Sequence, residues 1–440
     1  MNTKQSFAIK GDICFCKTKD QWTTMENAYA VCENGVSQGV FAQLPEQYAH
    51  FPVYDFTGKL IIPGLVDLHM HAPQYAFRGM GMDLELMDWL GQQTFPEEAK
   101  YADLSYADKA YTIFADNIKH SATSHACLFA TQHRAATELL MDRMEQTGLV
   151  SFVGKVNMDR EAPDNLRESS AEASAQETLR WLYEIAGKYQ RTKPILTPRF
   201  IPSCTPELLA KLQIIQQEYK LPVQSHLSEN TGEVAFVHEL CPDARFYGDA
   251  YDAYGLFGRQ HPKEHTYPAI MAHCVHSTEE EIKLLRDNGV FVAHCPASNT
   301  NLSSGIAPIR RYLENHMSVG LGSDVAGGHT ESILRAVCDA VQVSKLYWRL
   351  VDDGAAPLTF CEAFYLATKG GGAFFGSVGS LERGYDFSAV VLDDSSSLRH
   401  PFALTIPQRL ERAAYSALDA YGICAKFVSG ALLFDRTHSK

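Results

Sequence analysis

The sequence predicts an α/β protein: a (β/α)8 TIM barrel joined to a small composite β-sandwich domain formed by both termini. Two observations lead to this prediction. From about residue 60 onward, short apolar runs alternate with longer amphipathic stretches. Both flanks instead contain short β-like pieces, which suggests that they pair with each other and that the barrel is inserted between them.

The repeated unit of the central region is an apolar run followed by a helical stretch. The eight runs span residues 60–68, 123–130, 150–158, 195–201, 222–227, 269–275, 290–295 and 319–322. Strands separated by helices form a parallel sheet with right-handed crossovers, and eight such units close a barrel. An open, doubly wound sheet is the alternative architecture.

Two of the intervening helices have clear signals. The stretch 206–219 carries apolar residues near helical spacing, and Pro206 suits the first turn. The stretch 277–288 opens with Ser277 and Thr278, continues with acidic residues and ends before Gly289. These are start and stop signals of a helix.

The flanks predict the second domain. Strand-like pieces cover residues 7–9, 13–16, 28–32 and 39–42 near the start, and 387–392 and 425–434 near the end. The dipeptide Asn34-Gly35 is a hairpin signal. We expect the division to be 1–62 for the first part of the sandwich, 63–384 for the barrel and 385–440 for the closing part.

Composition narrows the class of protein. The 440 residues have a formal net charge of −13, which argues against a nucleic-acid binder because such proteins need a basic face. No stretch of about 18 apolar residues predicts a membrane span, and the first residues lack a secretory pattern. The 11 cysteines are scattered without a Cys-x-x-Cys pair, so we expect mostly buried thiols in a reducing, cytoplasmic compartment.

A pair of histidines ends the first apolar run. His69 and His71 stand two residues apart in PGLVDLHMH, and alternation along a strand aims both imidazoles to one side. At the C-terminal mouth of a barrel strand, two such histidines can hold one metal ion. The alternative is two polar residues at a strand end.

Three further runs also end in polar residues. His226 closes the run 222–227 and Glu229 follows, which gives a metal ligand beside a proton-transferring acid or, alternatively, a helix-capping acid. His273 ends the run 269–275 and could bind metal or polarise substrate. Asp324 ends the last run in a glycine-rich turn, as a ligand and proton acceptor or as an Asx-turn residue.

The set points to one metal site. Active sites of barrels lie at the C-terminal ends of the strands, where all five of these histidine and aspartate residues are predicted. Nitrogen and oxygen ligands without thiolate suit zinc or iron. A bound ion would lower the pKa of water towards about 7 and give a hydrolytic nucleophile at neutral pH.

These motifs closely resemble the amidohydrolase superfamily, in its branch of mononuclear aminohydrolases. The resemblance covers essentially the whole chain and rests on PGLVDLHMH, HLSE, the stretch from HCPASNTN to GSD, and the late segments YDFSAVVLD and FVSGALLF. It implies one divalent ion per chain, most simply zinc with iron as the alternative, held by His69, His71, His226 and Asp324. It also implies that Glu229 shuttles protons and that His273 orients water or substrate. The fourth strand offers no lysine for a second metal.

Narrower features resemble the members of this branch that deaminate guanine. Gln74, in the loop 71–98, takes the position expected to meet the purine edge. In TPRFIPSC, Arg199 would hydrogen-bond the purine and Phe200 would pack on it, with His226 and His273 also facing the substrate. The alternatives are a structural ion pair for Arg199 and a core position for Phe200.

The expected function is therefore hydrolytic deamination of guanine to xanthine and ammonia, with catalytic roles for Glu229, His273 and Asp324. Related substrates of the same branch are the nearest alternatives: 8-oxoguanine, a pterin, a triazine or cytosine. A catalytically inactive barrel serving as an assembly scaffold is the alternative from another class. The family resemblance also suggests a homodimer, with a small-molecule purine and no nucleic acid or membrane as partner.

Overall fold

The computed structural model describes residues 5–258, 268–395 and 401–437. Within them, one curved sheet is built by both ends of the chain and a ring of parallel strands by the middle. The strands are β1 (Phe7–Thr18), β2 (Gln21–Glu33), β3 (Val36–Phe41), β4 (Val53–Pro63), β5 (Leu65–His71), β6 (Thr123–Phe129), β7 (Val150–Gly154), β8 (Val156–Asn157), β9 (Thr192–Pro194), β10 (Thr197–Pro198), β11 (Val223–Leu227), β12 (Ala269–His273), β13 (Phe291–His294), β14 (Ser318–Leu321), β15 (Ala389–Leu392), β16 (Ile423–Val428) and β17 (Ala431–Asp435).

Helices follow the strands of the ring and surround it. They are α1 (Leu86–Trp89), α2 (Phe95–Glu98), α3 (Leu104–His120), α4 (Arg134–Thr147), α5 (Ala171–Ile185), α6 (Pro206–Tyr219), α7 (Thr231–Leu240), α8 (Tyr247–Asp252), α9 (Glu279–Asp287), α10 (Pro296–Asn301), α11 (Ile309–Glu314), α12 (Ile333–Leu350), α13 (Phe360–Tyr365) and α14 (Ile406–Tyr415). Among the described helices, none is both long and apolar enough to span a bilayer.

The ring closes as a barrel rather than an open sheet. Strands β5, β6, β7 and β9 pair in parallel, as do β11 to β14, and a bridge from Leu196 to Val223 joins the two halves. At the other seam, the Asp324 N–H donates to the His69 carbonyl at 2.8 Å, and the His71 N–H donates to the Val325 carbonyl at 2.9 Å. These bonds close the circle, so the alternative of an open doubly wound sheet is wrong.

The barrel interior is packed with side chains. Val66, Leu68, Ile195 and Ile270 belong to one fully buried cluster inside the ring. Phe374, which follows the last barrel strand in the sequence, belongs to the same buried cluster. A filled interior leaves the C-terminal ends of the strands as the place for a site.

The terminal sheet has the strand order β17-β16-β15-β4-β1-β2-β3, so the three late strands and the four early strands form two groups that join where β15 pairs with β4. Its sandwich character comes from strong curvature, since the Phe7 ring on β1 lies 5.0 Å from that of Phe427 on β16, three strands away. Along β1, alternation sends Ile13 and Phe15 into this core, while Cys14 and Cys16 pack against the barrel. We propose the unit boundaries at 62/63 and 384/385.

Four predicted runs differ from the observed strands. Run 60–68 is two strands, because β4 ends at Pro63 in the terminal sheet and β5 begins the barrel at Leu65. Run 150–158 is broken into β7 and β8, and run 195–201 contains only the two-residue strand β10, because β9 ends just before it at Pro194. Run 425–434 is a hairpin, because Ser429 and Gly430 both have positive φ, 48° and 75°, and turn the chain.

Candidate active site

The predicted site residues come together at the C-terminal mouth of the barrel. One pocket is lined by His71, Gln74, Arg199, Phe200, His226, Glu229, His273 and Asp324. His69 lies directly beneath it and is completely buried. Leu86, Trp89 and Leu90 cover the pocket from the segment that follows β5. The site is therefore a partly enclosed cavity with a polar floor.

Three histidines and one aspartate present their donor atoms to a common point. The His71 and His226 Nε2 atoms lie 3.2 Å apart. Asp324 Oδ1 lies 3.2 Å from His69 Nε2 and 3.4 Å from His71 Nε2. Tetrahedral zinc holds such donors at about 2.0–2.2 Å, which places two donors of one ion roughly 3.3–3.6 Å apart. The observed spacing therefore fits a single small divalent cation.

The hydrogen bonds around these imidazoles also fit metal binding. The His226 Nδ1–H donates to the Arg199 carbonyl at 2.6 Å, which leaves Nε2 without a proton and directed at the other ligands. Within the described residues, buried His69 Nε2 makes no hydrogen bond, and the atom beside it is another donor of the set, Asp324 Oδ1 at 3.2 Å. Burial is the main reason that the pKa values of His69, His71 and His226 are lowered, which favours the neutral, ligating form.

Asp324 and His273 form a charged pair at the edge of the donor set. Burial opposes ionisation of Asp324, but the neighbouring His69, His273 and His71 hold its pKa below the usual range. His273 shows the reverse balance, because burial alone would lower its pKa while the carboxylates of Glu229 and Asp324 raise it. The His273 Nδ1–H donates to Asn299 Oδ1 at 2.9 Å, so Nε2 faces Glu229 at 3.4 Å.

Glu229 is a buried carboxyl group that lines the pocket. Burial raises its pKa to about 7, and it accepts a hydrogen bond from the Ser304 hydroxyl at 3.1 Å. A carboxyl group that titrates near neutrality can both take and give a proton. Its backbone is fixed, since the Glu229 N–H donates to Glu233 at 3.0 Å.

Backbone strain concentrates at the same strand ends. His273 and Asp324 have positive φ values of 72° and 45°. Left-handed conformations cost a non-glycine residue about 1–2 kcal/mol and cluster at functional sites. Here they turn each side chain from its strand end into the pocket.

Several important residues carried no signal in the sequence. Phe129, at the end of β6, packs its ring against His69, His71 and His226 at 4.6–5.0 Å. A phenylalanine at a strand end resembles any other core residue. Only the folded barrel shows that it fixes three imidazole planes at once.

Buried Asp67 joins the two strands at the seam. Its Oδ1 accepts from the backbone N–H groups of His69 and Ser323, each at 3.1 Å. Burial raises the pKa of Asp67 to about 7. In the sequence it is only one letter of the motif PGLVDLHMH, yet it ties the backbone beside His69 to the backbone beside Asp324.

Arg199 and Gln74 share a third missed residue, Glu98. Arg199 donates to Glu98 through two nitrogens, at 2.6 and 3.2 Å, and Gln74 Nε2 donates to it at 2.8 Å. Arg199 thus forms the structural ion pair that was its alternative use, and it also lines the pocket. Phe200 is likewise almost buried, at 8% exposure, and lines the pocket.

A barrel whose mouth holds a single-ion donor set and a buried acid defines a metal-dependent hydrolase. Residues 60–421 match the model of the amidohydrolase family, and the chain belongs to that family. The expected fold class, the barrel with its composite sandwich, is confirmed by the match and by the structural relative described next.

Several similar proteins are guanine deaminases. The guanine deaminase of Dictyostelium discoideum is 40% identical over 345 residues, covering 78% of this chain and 74% of that protein. The enzyme of Escherichia coli K12 is 33% identical over 395 residues, covering 87% and 85%. The crystal structure of guanine deaminase from C. acetobutylicum with bound guanine in the active site has a TM-score of 0.92 at 43% identity, covering 98% of this chain and all of that one. These relatives confirm the resemblance to the guanine-deaminating members.

Proposed function

We propose that this protein is a metal-dependent aminohydrolase that converts guanine and water to xanthine and ammonia. One observation carries the proposal. A single pocket brings together donor atoms for one metal ion, the buried acid Glu229 and two hydrogen-bonding side chains, Gln74 and Arg199. The similarity to guanine deaminases over most of the chain supports the choice of substrate. An inactive scaffold would have no need to keep this set intact.

The metal ligands in this proposal are His69, His71, His226 and Asp324. Their spacing and the neutral state of the imidazoles suit one divalent ion per chain, with zinc as the first choice and iron as the alternative. When bound, the ion supplies Lewis acidity, which lowers the pKa of water and favours attack at neutral pH.

The purine lies between the ligand set and the side of the pocket formed by Arg199. Arg199 and Gln74 offer N–H donors to the acceptor edge of guanine, which carries O6 and N7. Phe200 covers part of the ring face. This placement turns the amino-bearing C2 towards His226, His273 and Asp324.

Three residues move or hold protons during the reaction. Asp324, kept ionised by its imidazole neighbours, accepts a proton from the attacking water. Glu229 begins protonated and donates its proton to the ring nitrogen beside C2. Asp324 then passes the proton it took from water to the amine, and the C2–N bond breaks so that ammonia leaves. The remaining hydroxyl proton returns to Glu229 as the C2 carbonyl forms. His273 Nε2 donates to the oxygen that becomes the C2 carbonyl, where negative charge develops.

The deciding experiment is ammonia release by purified protein from guanine, with cytosine, adenine and a pterin alongside. We expect release from guanine that a chelator abolishes. Glu229→Gln should retain its metal but lose about 10²–10⁴-fold in kcat, because proton transfer is removed while the ligands remain. Glu362→Gln, a buried carboxylate on α13 outside the pocket, is the matched control.

Two outcomes would contradict the proposal. Normal turnover in Glu229→Gln would remove that residue from the proton path. Release from another amine but not from guanine would keep the hydrolytic mechanism and overturn the assignment of Gln74 and Arg199.

We also propose a cytoplasmic homodimer. The eleven cysteines are thiols, nine of them buried, which suits a reducing compartment. The dimer rests on family resemblance, and its test is the mass of the protein in solution.

A further inference from the structure

Glu98 is a fully buried carboxylate that does not itself line the pocket. It stands at the end of α2 and binds two residues that do. The Arg199 guanidinium grips both of its oxygens, and Gln74 Nε2 donates to Oε1. The side chains of Arg199 and Glu98 are only 4% and 1% exposed. Burying both charges of an ion pair costs desolvation free energy, which is recovered only when the hydrogen bonds between them have good geometry.

The carboxylate dictates which atoms Gln74 presents. An ionised carboxylate only accepts hydrogen bonds, so the nitrogen end of the Gln74 amide must face it. Without the Glu98 carboxylate, only a long hydrogen bond from the Ala326 N–H to Gln74 Oε1, at 3.5 Å, would oppose a 180° turn of the amide. With it, Gln74 keeps a second N–H group in a fixed orientation.

The same carboxylate fixes the plane of Arg199. A guanidinium has five N–H donors in a rigid fork, and Glu98 uses two of them. The Phe95 ring, also on α2, lies 5.4 Å from the guanidinium carbon and packs against it. One helical turn therefore sets the direction of the N–H groups that Glu98 does not use.

We infer that Glu98 is a positioning residue that determines substrate specificity, and this inference rests on the proposed function. By holding Arg199 and Gln74, it makes this side of the pocket a surface that presents only N–H donors. Such a surface matches a purine with an oxygen at C6. A C6 amine would set N–H against N–H, and a C6 hydrogen would leave buried donors unpaired.

The test compares the wild-type holoenzyme with Glu98→Gln on three substrates that all carry an amine at C2. Guanine has an oxygen at C6, 2-aminopurine has a hydrogen, and 2,6-diaminopurine has an amine. We expect the guanine KM of Glu98→Gln to rise about 10-fold or more with a smaller change in kcat. The ratio of kcat/KM for guanine to that for 2-aminopurine should fall about 10-fold, because one oriented hydrogen bond is lost.

Glu362→Gln is the matched control. Glu362 also accepts hydrogen bonds from two nitrogens of one arginine, Arg310, at 2.7 and 3.0 Å, but it lies away from the pocket. It should leave the selectivity ratio unchanged. Glu98→Asp keeps the charge on a shorter side chain and should give an intermediate ratio. This second variant keeps the inference testable if Glu98→Gln does not fold.

The outcomes separate the two levels of the argument. An unchanged ratio in Glu98→Gln, or in Glu98→Asp where the first variant does not fold, overturns the inference alone. So does an equal loss on all three substrates together with lost metal, which marks a merely structural role. No turnover of guanine by the wild type overturns the proposed function and this inference with it.

Discussion

Removing the Asp67 side chain should loosen the seam of the barrel and weaken metal binding together. In Asp67→Ala, the N–H groups of His69 and Ser323 lose their shared acceptor inside the protein. An unsatisfied buried donor costs about 1–3 kcal/mol, so two cost roughly 2–6 kcal/mol, less whatever an entering water recovers. Because these N–H groups adjoin His69 and Asp324, metal affinity should fall about 10–100-fold.

The assay is urea unfolding followed by tryptophan fluorescence, run with and without chelator, beside a metal competition titration. Asp67→Asn is the control, since its amide oxygen still accepts from both N–H groups and should lose much less stability. If Asp67→Ala matched Asp67→Asn in unfolding midpoint and metal affinity, the buried hydrogen bonds would not be what holds the seam.

Two further changes test the barrel itself. Gly154→Ala should destabilise the protein by about 1–3 kcal/mol or more, because its Cβ would lie 1.7 Å from Thr197 Oγ1 and 2.8 Å from the Ile195 carbonyl. The measurement is the midpoint of thermal unfolding. A midpoint equal to that of the wild type would show that β7 and β10 can separate without cost. Thr278→Ala should cost about 1 kcal/mol, because the hydroxyl caps α9 at the Glu281 N–H; Thr278→Ser should restore the loss, and a failure to restore it would exclude capping as the cause.

The fold was predictable where the apolar spacing was regular and where helix and turn signals were strong. Helix α6 begins at Pro206 and ends at Tyr219, as its apolar spacing predicted. The turn at Asn34-Gly35 connects β2 and β3, with φ values of 53° and 83°. Strand boundaries were less predictable, because run 60–68 is apolar throughout while Gly64 marks a change of sheet that hydrophobicity does not record.

The site was predictable to the extent that its residues end apolar runs. His69, His226 and Asp324 each follow such a run, so a barrel model alone places them at one mouth. Glu98 follows another acid in a polar stretch and resembles a surface residue. Its role depends on a distant partner, Arg199, and a pattern that is local in sequence cannot supply that information.

The seam between β5 and β14 also has a consequence for how the chain is made. His69 and His71 leave the ribosome early, whereas Asp324, whose N–H helps to close the barrel, is among the last barrel residues to be synthesised. A nascent chain therefore carries imidazoles long before it carries their carboxylate. Translation that stops short of Asp324 removes a proposed metal ligand and a closing strand contact at once, so the incomplete chain lacks the bond that joins the last barrel strand to the first.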